Sequence, residues 1–507
     1  MLSPTRIGII GAGASAVCLL SALRERSETP EAVTVFDPSA HLWRGRAYQP
    51  DAATLLVNAP PEDMTVRAGD PEHFIRWLGA RRSGLAARSH YDDPWAGIAF
   101  APRALYGDYL EQCAREALAA LHARGCEVRL VRRAVTEVAR DGERLAVRTD
   151  DGAVYPFDHT VLCVGNAGPA DPHQLAGTPG FVADPYPVVN RLADVDPDAR
   201  VLVVGNGLTA VDMVLTLTAR GHRGGVVLAS RRGVLPSVRQ RPVEHRARYF
   251  TAERFRAMAA RGESLTLARA VALMADELAA VGSSSEVVAR EITAAGTEDP
   301  LARLRRQFEA VNAGDPGLRV LQRAVPDTGP DVWTLLPERD RAEVLHRHYR
   351  TLMSLCCPMP PTSAAVLLGE ADAGRLGFAR GLTKIVPDPT GGFGVRTADG
   401  WQRADVVVNA VSPPGHRVPA AARPLVDSLT ARGLAELHPR GGLRVARATS
   451  GVLADGVPDP RIFALGELAS GSLLFTFGVP SLLDRALDIV EAIHLDTARR
   501  AESMQVV

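Results

Sequence analysis

The chain has 507 residues, 46% of them hydrophobic and 23% charged, which is ordinary for a globular protein and too long for one hydrophobic core. Its 58 basic and 58 acidic residues cancel, so no global field favours nucleic acid or an anionic membrane. The apolar run Ile7–Leu23 contains Gly11 and Gly13 and lacks a basic leader, which predicts strand, turn and helix rather than a signal peptide. We expect a cytoplasmic protein of two or three domains without a membrane span.

The cysteine pattern gives no sign of a metal site or a redox pair. The chain has six cysteines, none of them in a CxxC pair or at a zinc-ligand spacing. Cys356 and Cys357 are adjacent, which is a poor arrangement for an ordinary disulfide. We therefore predict no metal site and a reducing compartment.

The first candidate nucleotide site follows directly on the first predicted strand. After the apolar residues 7–10 comes Gly11-x-Gly13-x-x-Ala16, with Ser15 at the start of an apolar helix. Such a turn lets a pyrophosphate approach the backbone, and the helix N-terminus stabilises its charge. The second strand ends on Asp37, which can accept hydrogen bonds from the hydroxyls of an adenosine ribose. This segment predicts a dinucleotide-binding domain.

The same pattern recurs 194 residues later. A second apolar strand leads into Gly205-x-Gly207-x-x-Ala210, with Thr209 in the turn. The next strand ends on Ser230-Arg231-Arg232 and contains no acid. Arginine and serine can bind a 2′-phosphate by charge-assisted hydrogen bonds, whereas an acid would repel it. This pattern favours NADPH over NADH; the alternative is a solvated arginine pair.

Two dinucleotide sites in one chain imply electron transfer between two cofactors, and a distant segment indicates that FAD occupies the first. The strand Arg461–Leu465 ends on Gly466-Glu467, the kind of segment that returns to the first domain of such flavoproteins and holds the flavin. The strand ending at Gly165 would leave that domain, and the strand 404–411 is its counterpart on return. The fold class is therefore α/β with two Rossmann-like domains, the FAD domain discontinuous and the NADPH domain inserted. We predict residues 1–190 and 376–507 for FAD and 191–375 for NAD(P)H.

These motifs, in this order, resemble the class B flavoprotein monooxygenases, and in particular the bacterial FAD/NAD(P)-binding family near the amino-acid N-hydroxylases. The most telling residues lie in four stretches: Gly45-Arg-Ala-Tyr48, Leu55-Leu-Val-Asn58 continuing to Met64, Asp70 to Leu78, and Pro102 to Leu110. The resemblance implies that Tyr48, Asn58 and Met64 contact the flavin. Trp77 and Tyr109 are interpreted as ordinary core aromatics.

The chain also departs from neighbouring families. The FxGxxxHxxxW signature of Baeyer–Villiger and dimethylaniline-type enzymes is absent between the two domains. The disulfide reductases share the two-dinucleotide plan but need a redox cysteine pair in the first domain, so that class is rejected. Where relatives have a turn rich in histidine and arginine, this chain has Met353–Pro361, so its substrate or chemistry can differ.

Residues 243–350 are predicted to be a helical elaboration of the NADPH domain. Their apolar stripes could cap the active site, pack against the domain, or form a dimer surface. The sequence leaves these three roles open, as it does the role of Cys356 and Cys357, and a homo-oligomer is compatible with the third.

The resemblance implies an NADPH-dependent flavin monooxygenase that N-hydroxylates a small amine or amino acid with O2. The reaction would proceed through a C4a-(hydro)peroxyflavin, so no catalytic triad is required. Asn58 is the candidate catalytic residue, placed to hydrogen bond near the reacting atoms. Two alternatives stay open: an oxidase or reductase without oxygen insertion, and a non-catalytic flavin-binding protein, which the intact second turn disfavours.

Overall fold

The computed structural model describes residues 5–82, 92–165, 168–411, 418–476 and 478–505. In these ranges the chain forms two parallel β-sheets with helices packed against them, which confirms the predicted fold class. The elements up to residue 165 are β1 (Arg6–Ile10), α1 (Ala14–Glu25), β2 (Ala32–Phe36), α2 (His73–Arg82), β3 (Asp92–Asp93), β4 (Ile98–Ala99), α3 (Arg103–Ala123), β5 (Glu127–Val131), β6 (Val135–Asp141), β7 (Arg144–Thr149), β8 (Val154–Phe157) and β9 (His159–Leu162).

The middle of the chain is richest in helix. Its elements are β10 (Phe181–Val182), α4 (Val188–Arg191), β11 (Val201–Val204), α5 (Leu208–Ala219), β12 (Val226–Ala229), α6 (Ala252–Ala260), α7 (Leu267–Ala280), α8 (Ser285–Thr297), α9 (Pro300–Glu309), α10 (Gly317–Leu335), α11 (Glu338–Glu343), α12 (Tyr349–Cys356), α13 (Pro361–Asp372), β13 (Leu376–Ala379), β14 (Lys384–Pro387), β15 (Phe393–Thr397), β16 (Gly400–Ala404) and β17 (Val406–Asn409). The last elements are α14 (Arg423–Ala431), β18 (Gly451–Ala454), β19 (Val457–Ala464), α15 (Ser470–Leu473) and α16 (Val479–Gln505).

The first sheet joins the two ends of the chain. Its order is β18-β19-β9-β1-β2-β5, and only the β18–β19 pair is antiparallel. β1, β2 and β9 are almost entirely buried, as expected of parallel strands covered on both faces. α1, α3 and α16 pack together over one face around a shared apolar core. Because β19 pairs with β9, the first domain is discontinuous.

The strands of the second sheet lie, in the sequence, between the two groups of strands that form the first sheet. Its order is β10-β17-β11-β12-β13, with all neighbouring strands parallel. β17 lies beside β11 as β9 lies beside β1, so the two sheets repeat one arrangement around their glycine turns. No helix in the described ranges is long and apolar enough to cross a membrane.

Membership of the two sheets does not follow the predicted residue ranges of the two domains. β13 and β17 fall within 376–507, which the sequence analysis placed in the first domain, yet both are hydrogen bonded into the second sheet. β10, within 1–190, also lies in the second sheet. Sequence patterns identified the strands but not their partners, because strand pairing depends on contacts between distant residues. The chain re-enters the first sheet only at β18 and β19.

The predicted helical region corresponds to α6–α12, between β12 and β13. It has its own apolar core, built from residues of α6, α7, α8, α10 and α12. α10 also packs against α15 and α16 of the first domain. A Cβ on Gly329 would lie 2.2 Å from the Phe475 ring, so α10 approaches this part of the first domain very closely. The helical segment therefore packs against the part of the chain that follows β19.

Candidate cofactor and substrate site

The first glycine turn is fixed by close contact with the neighbouring strand. Gly11 has φ +102°, and a Cβ there would lie 2.5 Å from the carbonyl oxygen of Cys163, so only glycine fits. Gly13 precedes α1 and faces Gly45, with 3.6 Å between its notional Cβ and the Gly45 Cα. No side chain caps the start of α1, and Ala16 is fully buried beneath it. The N–H groups at this helix start are those that would face an anion.

Asp37 stabilises the same turn by hydrogen bonds to its backbone. One carboxylate oxygen accepts a hydrogen bond from the Ala12 amide at 2.7 Å, and the other accepts one from the Ser39 amide at 2.7 Å. The residue therefore stands where a ribose acceptor was predicted and also stabilises the turn. This second role was not part of the sequence interpretation.

The return segment meets the start of α1. Gly466 has φ +91°, and a Cβ there would lie 2.7 Å from the Ser15 hydroxyl oxygen. Glu467 follows in a half-buried position, where burial raises the pKa of its carboxyl. Gly165, predicted for the same site, is exposed and has open space where a Cβ would be. The structure thus brings Ser15 and Gly466 together but gives Gly165 no comparable contact.

The loop that the resemblance assigns to the flavin leads to the junction of the two domains. Tyr48 packs edge-on against Tyr106, with ring centroids 4.8 Å apart, and the Tyr106 hydroxyl donates to the carbonyl of Met64 at 2.8 Å. Asn58 donates to the carbonyl of Pro358 at 3.3 Å. Met64 is therefore buried in the first core, whereas Asn58 contacts the segment that follows α12. Trp77 and Tyr109 are also buried in the first core.

The second glycine turn repeats the first. Gly205 has φ +126°, and a Cβ there would lie 2.7 Å from the carbonyl oxygen of Ala410. Asn206 is only 5% exposed, and neither atom of its amide group has a hydrogen-bond partner in the described ranges. A buried amide left without partners points to a bound group that would satisfy it. Gly207 is exposed at the start of α5, two residues before Thr209.

The end of β12 presents two free arginines. The Ser230 hydroxyl accepts a hydrogen bond from the Gly233 amide at 2.9 Å, which shapes the turn. Arg231 and Arg232 are exposed, and neither forms an ion pair with a carboxylate of the described residues. Most arginines nearby are paired, among them Arg200 with Asp405. The two guanidinium groups are therefore available to a ligand.

A cluster of charged residues that the sequence did not reveal lies beside Asn58. Its charged residues come from the loop before Met64, from the segment after β12 and from α10; they are Glu62, Asp63, Arg239, Arg323 and Asp327. The Nε of Arg239 donates to the carbonyl oxygen of Asn58 at 2.7 Å. Because these residues are far apart in the chain and follow no motif, only the fold brings them together. Thr476, buried near the start of α16, has a hydroxyl without a hydrogen-bond partner among the described residues.

A largely buried ion pair joins the two domains. Arg103, the first residue of α3, forms an ion pair with Asp212 on α5 at 2.7 Å. The Arg103 side chain is 18% exposed and the Asp212 side chain 5%. Arg103 also donates to the Tyr186 hydroxyl at 3.3 Å and to the carbonyl of Leu56 at 3.1 Å. This network connects the loop that leads to Asn58 with the helix of the second glycine turn.

A family model described as FAD-NAD(P)-binding matches residues 8–167. These residues form an FAD/NAD(P)-binding domain. The match spans the first glycine turn, Asp37, Asn58 and Gly165, which agrees with the predicted cofactors. No curated protein sequence is detectably similar to the chain.

The FAD/NAD(P)-binding domain and the rest of the chain together have the fold of several solved flavoproteins. A cadaverine monooxygenase from Erwinia amylovora, solved with FAD, is 12% identical with a TM-score of 0.59, covering 97% of this chain and 94% of that one. Ornithine hydroxylase from Pseudomonas aeruginosa is 14% identical with a TM-score of 0.55, and L-lysine 6-monooxygenase from Pseudomonas syringae is 17% identical with a TM-score of 0.55. Each of these two alignments covers 97% of this chain and 99% of the other. The likeness at such identities establishes a shared fold over nearly the whole chain.

Proposed function

We propose that the chain is an NADPH-dependent flavin monooxygenase that N-hydroxylates a small amine or amino acid. The observation that carries the proposal is the pair of glycine turns, each pressed against the carbonyl that follows a neighbouring strand. The solved amine and amino-acid monooxygenases that share the fold over nearly the whole chain support it. A protein that only bound flavin would have little use for the second turn.

The residues of the first turn fit FAD. Gly11 and Gly13 would admit the pyrophosphate, and Asp37 would accept hydrogen bonds from the ribose. Ser15 and Gly466, which lie against each other, would hold the pyrophosphate and the ribityl chain. We assign this domain to the strands before β10 and after β17, and the intervening strands to NADPH.

The residues of the second turn fit NADPH. Gly205 and Gly207 would admit its pyrophosphate, and the unpartnered amide of Asn206 would hydrogen bond to it. Ser230, Arg231 and Arg232 would bind the 2′-phosphate, because unpaired guanidinium groups form strong hydrogen bonds to phosphate oxygens.

A bound FAD would supply the redox chemistry: it would accept a hydride from NADPH and activate O2, of which one atom would go to the substrate nitrogen and the other, with protons, to water. The protein has to orient the substrate and exclude water from the reacting atoms. α10, packed against Phe475, covers the return segment and would shield this region. Asn58, at the junction of the domains, would hydrogen bond to the substrate or to the reacting oxygen.

The test is product analysis with purified, FAD-loaded protein, NADPH and O2. We expect a hydroxylamine from at least one member of a panel of amines and amino acids, with NADPH consumed in proportion. Hydrogen peroxide formed in proportion to NADPH, with no hydroxylamine from any amine, would indicate an oxidase instead. Flavin reduction without oxygen consumption would indicate a reductase.

All six cysteines are free, which supports a reducing, cytoplasmic location. Homo-oligomerisation stays a prediction, to be measured by sedimentation of the purified protein.

A further inference from the structure

The strand β13 ends beside the turn formed by residues 230–233, which follows β12. The two strands pair in parallel, so the residues that follow them leave the sheet at the same edge. A backbone hydrogen bond joins the two segments beyond the strands, because the Gly381 amide donates to the carbonyl of Arg231 at 3.2 Å. Arg380, the first residue after β13, therefore lies next to the turn.

The side chain of Arg380 packs against Gly233, the last residue of this turn. Gly233 has φ +70°, and a Cβ there would lie 2.5 Å from Cγ and 2.9 Å from Nε of Arg380. Glycine at this position therefore supplies both the backbone conformation and the room that the arginine stem occupies. The contact places the Arg380 side chain directly at the turn.

The guanidinium group of Arg380 lacks the carboxylate partner that neighbouring arginines have. Arg375, just before the same strand, pairs with Glu370 at 2.7 Å, and Arg306 pairs with Glu298 at 2.6 Å. Arg380 forms no ion pair with a carboxylate of the described residues, and only one of its terminal amino groups has an acceptor among them, the backbone carbonyl of Glu298. Its Nε is buried without a hydrogen-bond partner in the same ranges.

Arg231, Arg232 and Arg380 thus place three guanidinium groups without carboxylate partners around one turn. Like charges repel one another, and a bound anion would offset that repulsion. A phosphate monoester carries a charge of about −1.5 to −2 at pH 7 and offers three acceptor oxygens, so it suits several guanidinium groups at once. NADPH has one such group, the 2′-phosphate of its adenosine, and NADH has none.

We propose that Arg380 is a third arginine of the 2′-phosphate site and a determinant of the preference for NADPH over NADH. The assignment rests on the proposed function, in which the second glycine turn binds NADPH. It adds a residue from a different strand: Arg231 and Arg232 follow β12, whereas Arg380 follows β13.

The test uses two nucleotides that differ only in the 2′-phosphate, 2′,5′-ADP and 5′-AMP. Their binding to the FAD-loaded protein is measured by titration calorimetry, which requires neither flavin reduction nor oxygen. We expect the wild type to bind 2′,5′-ADP more tightly than 5′-AMP. Arg380→Met should weaken binding of 2′,5′-ADP about ten- to 150-fold and leave 5′-AMP nearly unchanged, since a charge-assisted contact to the phosphate is lost.

The choice of variants separates the charge of Arg380 from its packing. Methionine keeps an unbranched stem against Gly233 but removes the charge, whereas Arg380→Lys keeps the charge and should retain part of the preference for 2′,5′-ADP. Arg375→Gln is the matched control, because it removes an arginine at the opposite end of the same strand, with a side chain 42% exposed. This control should bind both nucleotides like the wild type. If Arg380→Met does not fold, Arg380→Gln takes its place.

The outcomes distinguish this inference from the proposed function. An Arg380→Met variant that keeps the full preference, or that weakens both nucleotides equally, would overturn the role of Arg380 and leave Arg231 and Arg232 in the site. A wild type that binds the two nucleotides alike would overturn that role together with the NADPH assignment. Loss of the preference in Arg380→Met, in a protein that yields no hydroxylamine from any amine, would sustain the role of Arg380 and refute the proposed function.

Discussion

Asp37 shows how one residue can serve both the fold and a ligand. Its carboxylate accepts hydrogen bonds from the backbone amides of Ala12 and Ser39, so it stabilises the first glycine turn without a bound ribose. The sequence predicted the ribose contact from the position of the acid after β2. The sequence could not predict that Asp37 also stabilises the turn, because the backbone amides that donate hydrogen bonds to it come close only in the folded turn.

Replacing Asp37 tests the FAD assignment. Asp37→Ala should raise the Kd for FAD by about ten- to 150-fold, since hydrogen bonds to a charged acceptor contribute roughly 1.5–3 kcal/mol. Asp37→Asn, which keeps one acceptor oxygen for the turn, should cost less. FAD affinity is measured by flavin fluorescence, and NADPH binding is the control for the second domain. Unchanged affinity in the alanine variant would remove Asp37 from the site.

Arg231 and Arg232 give a second test at the residue scale. Arg231→Ala or Arg232→Ala should lower kcat/KM for NADPH by about ten- to 150-fold, because a charge-assisted phosphate contact is lost. NADH, which has no 2′-phosphate, should be used almost as before. Arg223→Ala, an exposed arginine of the same domain, is the control. Equal losses of kcat/KM with NADPH and NADH, or a wild type that does not prefer NADPH, would show that the two arginines are a solvated surface pair.

At the scale of elements, Glu277 holds the start of the helical segment. It is fully buried on α7. Its carboxylate accepts hydrogen bonds from the backbone amides of Arg248, Tyr249 and Phe250 at 2.9, 2.6 and 2.8 Å. His245 Nε2 lies 2.7 Å from the same group. Burial alone would raise the pKa of Glu277, but these hydrogen bonds outweigh it and the pKa is lowered.

This lowered pKa makes the segment sensitive to acid. A carboxylate with a depressed pKa in the folded state contributes stability above its unfolded pKa of about 4.3 and loses it as the pH falls through the folded value. The protection factors of the amides 248–250, which correct hydrogen exchange for its intrinsic pH dependence, should therefore fall below about pH 4 in the wild type. Glu277→Gln should destabilise the segment by about 1–3 kcal/mol at neutral pH and remove much of this acid dependence. Identical pH profiles for the two proteins would show that Glu277 does not carry the effect.

The helical segment also marks how far sequence reasoning reaches at this scale. Apolar stripes at helical spacing predicted helices over 243–350, and α6–α12 lie there. The surface that they cover could not be predicted, because the contact of Gly329 with Phe475 joins residues 146 positions apart and leaves no local pattern. For the same reason Glu277 reads in the sequence as one more charged helix residue.

For the whole molecule, the repeated glycine turns indicated two dinucleotide domains, and the two parallel sheets confirm that plan. The predicted range 376–507 does not coincide with one sheet, because β13 and β17 fall in it but pair with the second sheet. The cluster of charged residues beside Asn58 was not predicted, because three separate segments of the chain supply it. Sequence thus predicted what adjacent residues do together, and the fold decides which distant residues meet.

The Arg103–Asp212 pair tests whether the two domains depend on each other. Asp212→Asn should destabilise the protein by about 3–5 kcal/mol, because it leaves the buried Arg103 without its charge partner. The double variant Arg103→Met with Asp212→Leu should recover part of that loss, since it removes both charges. Stability is measured by urea unfolding. A double variant that loses as much as Arg103→Met and Asp212→Leu combined would show that the pair is not coupled.

The most direct measurement of the central claim is anaerobic mixing of the purified protein with NADPH, followed in the visible flavin absorbance. The account predicts a yellow protein that releases FAD on denaturation and whose flavin is bleached by NADPH faster than by NADH. A colourless protein that takes up no FAD, or a bound flavin that NADPH does not reduce, would contradict it.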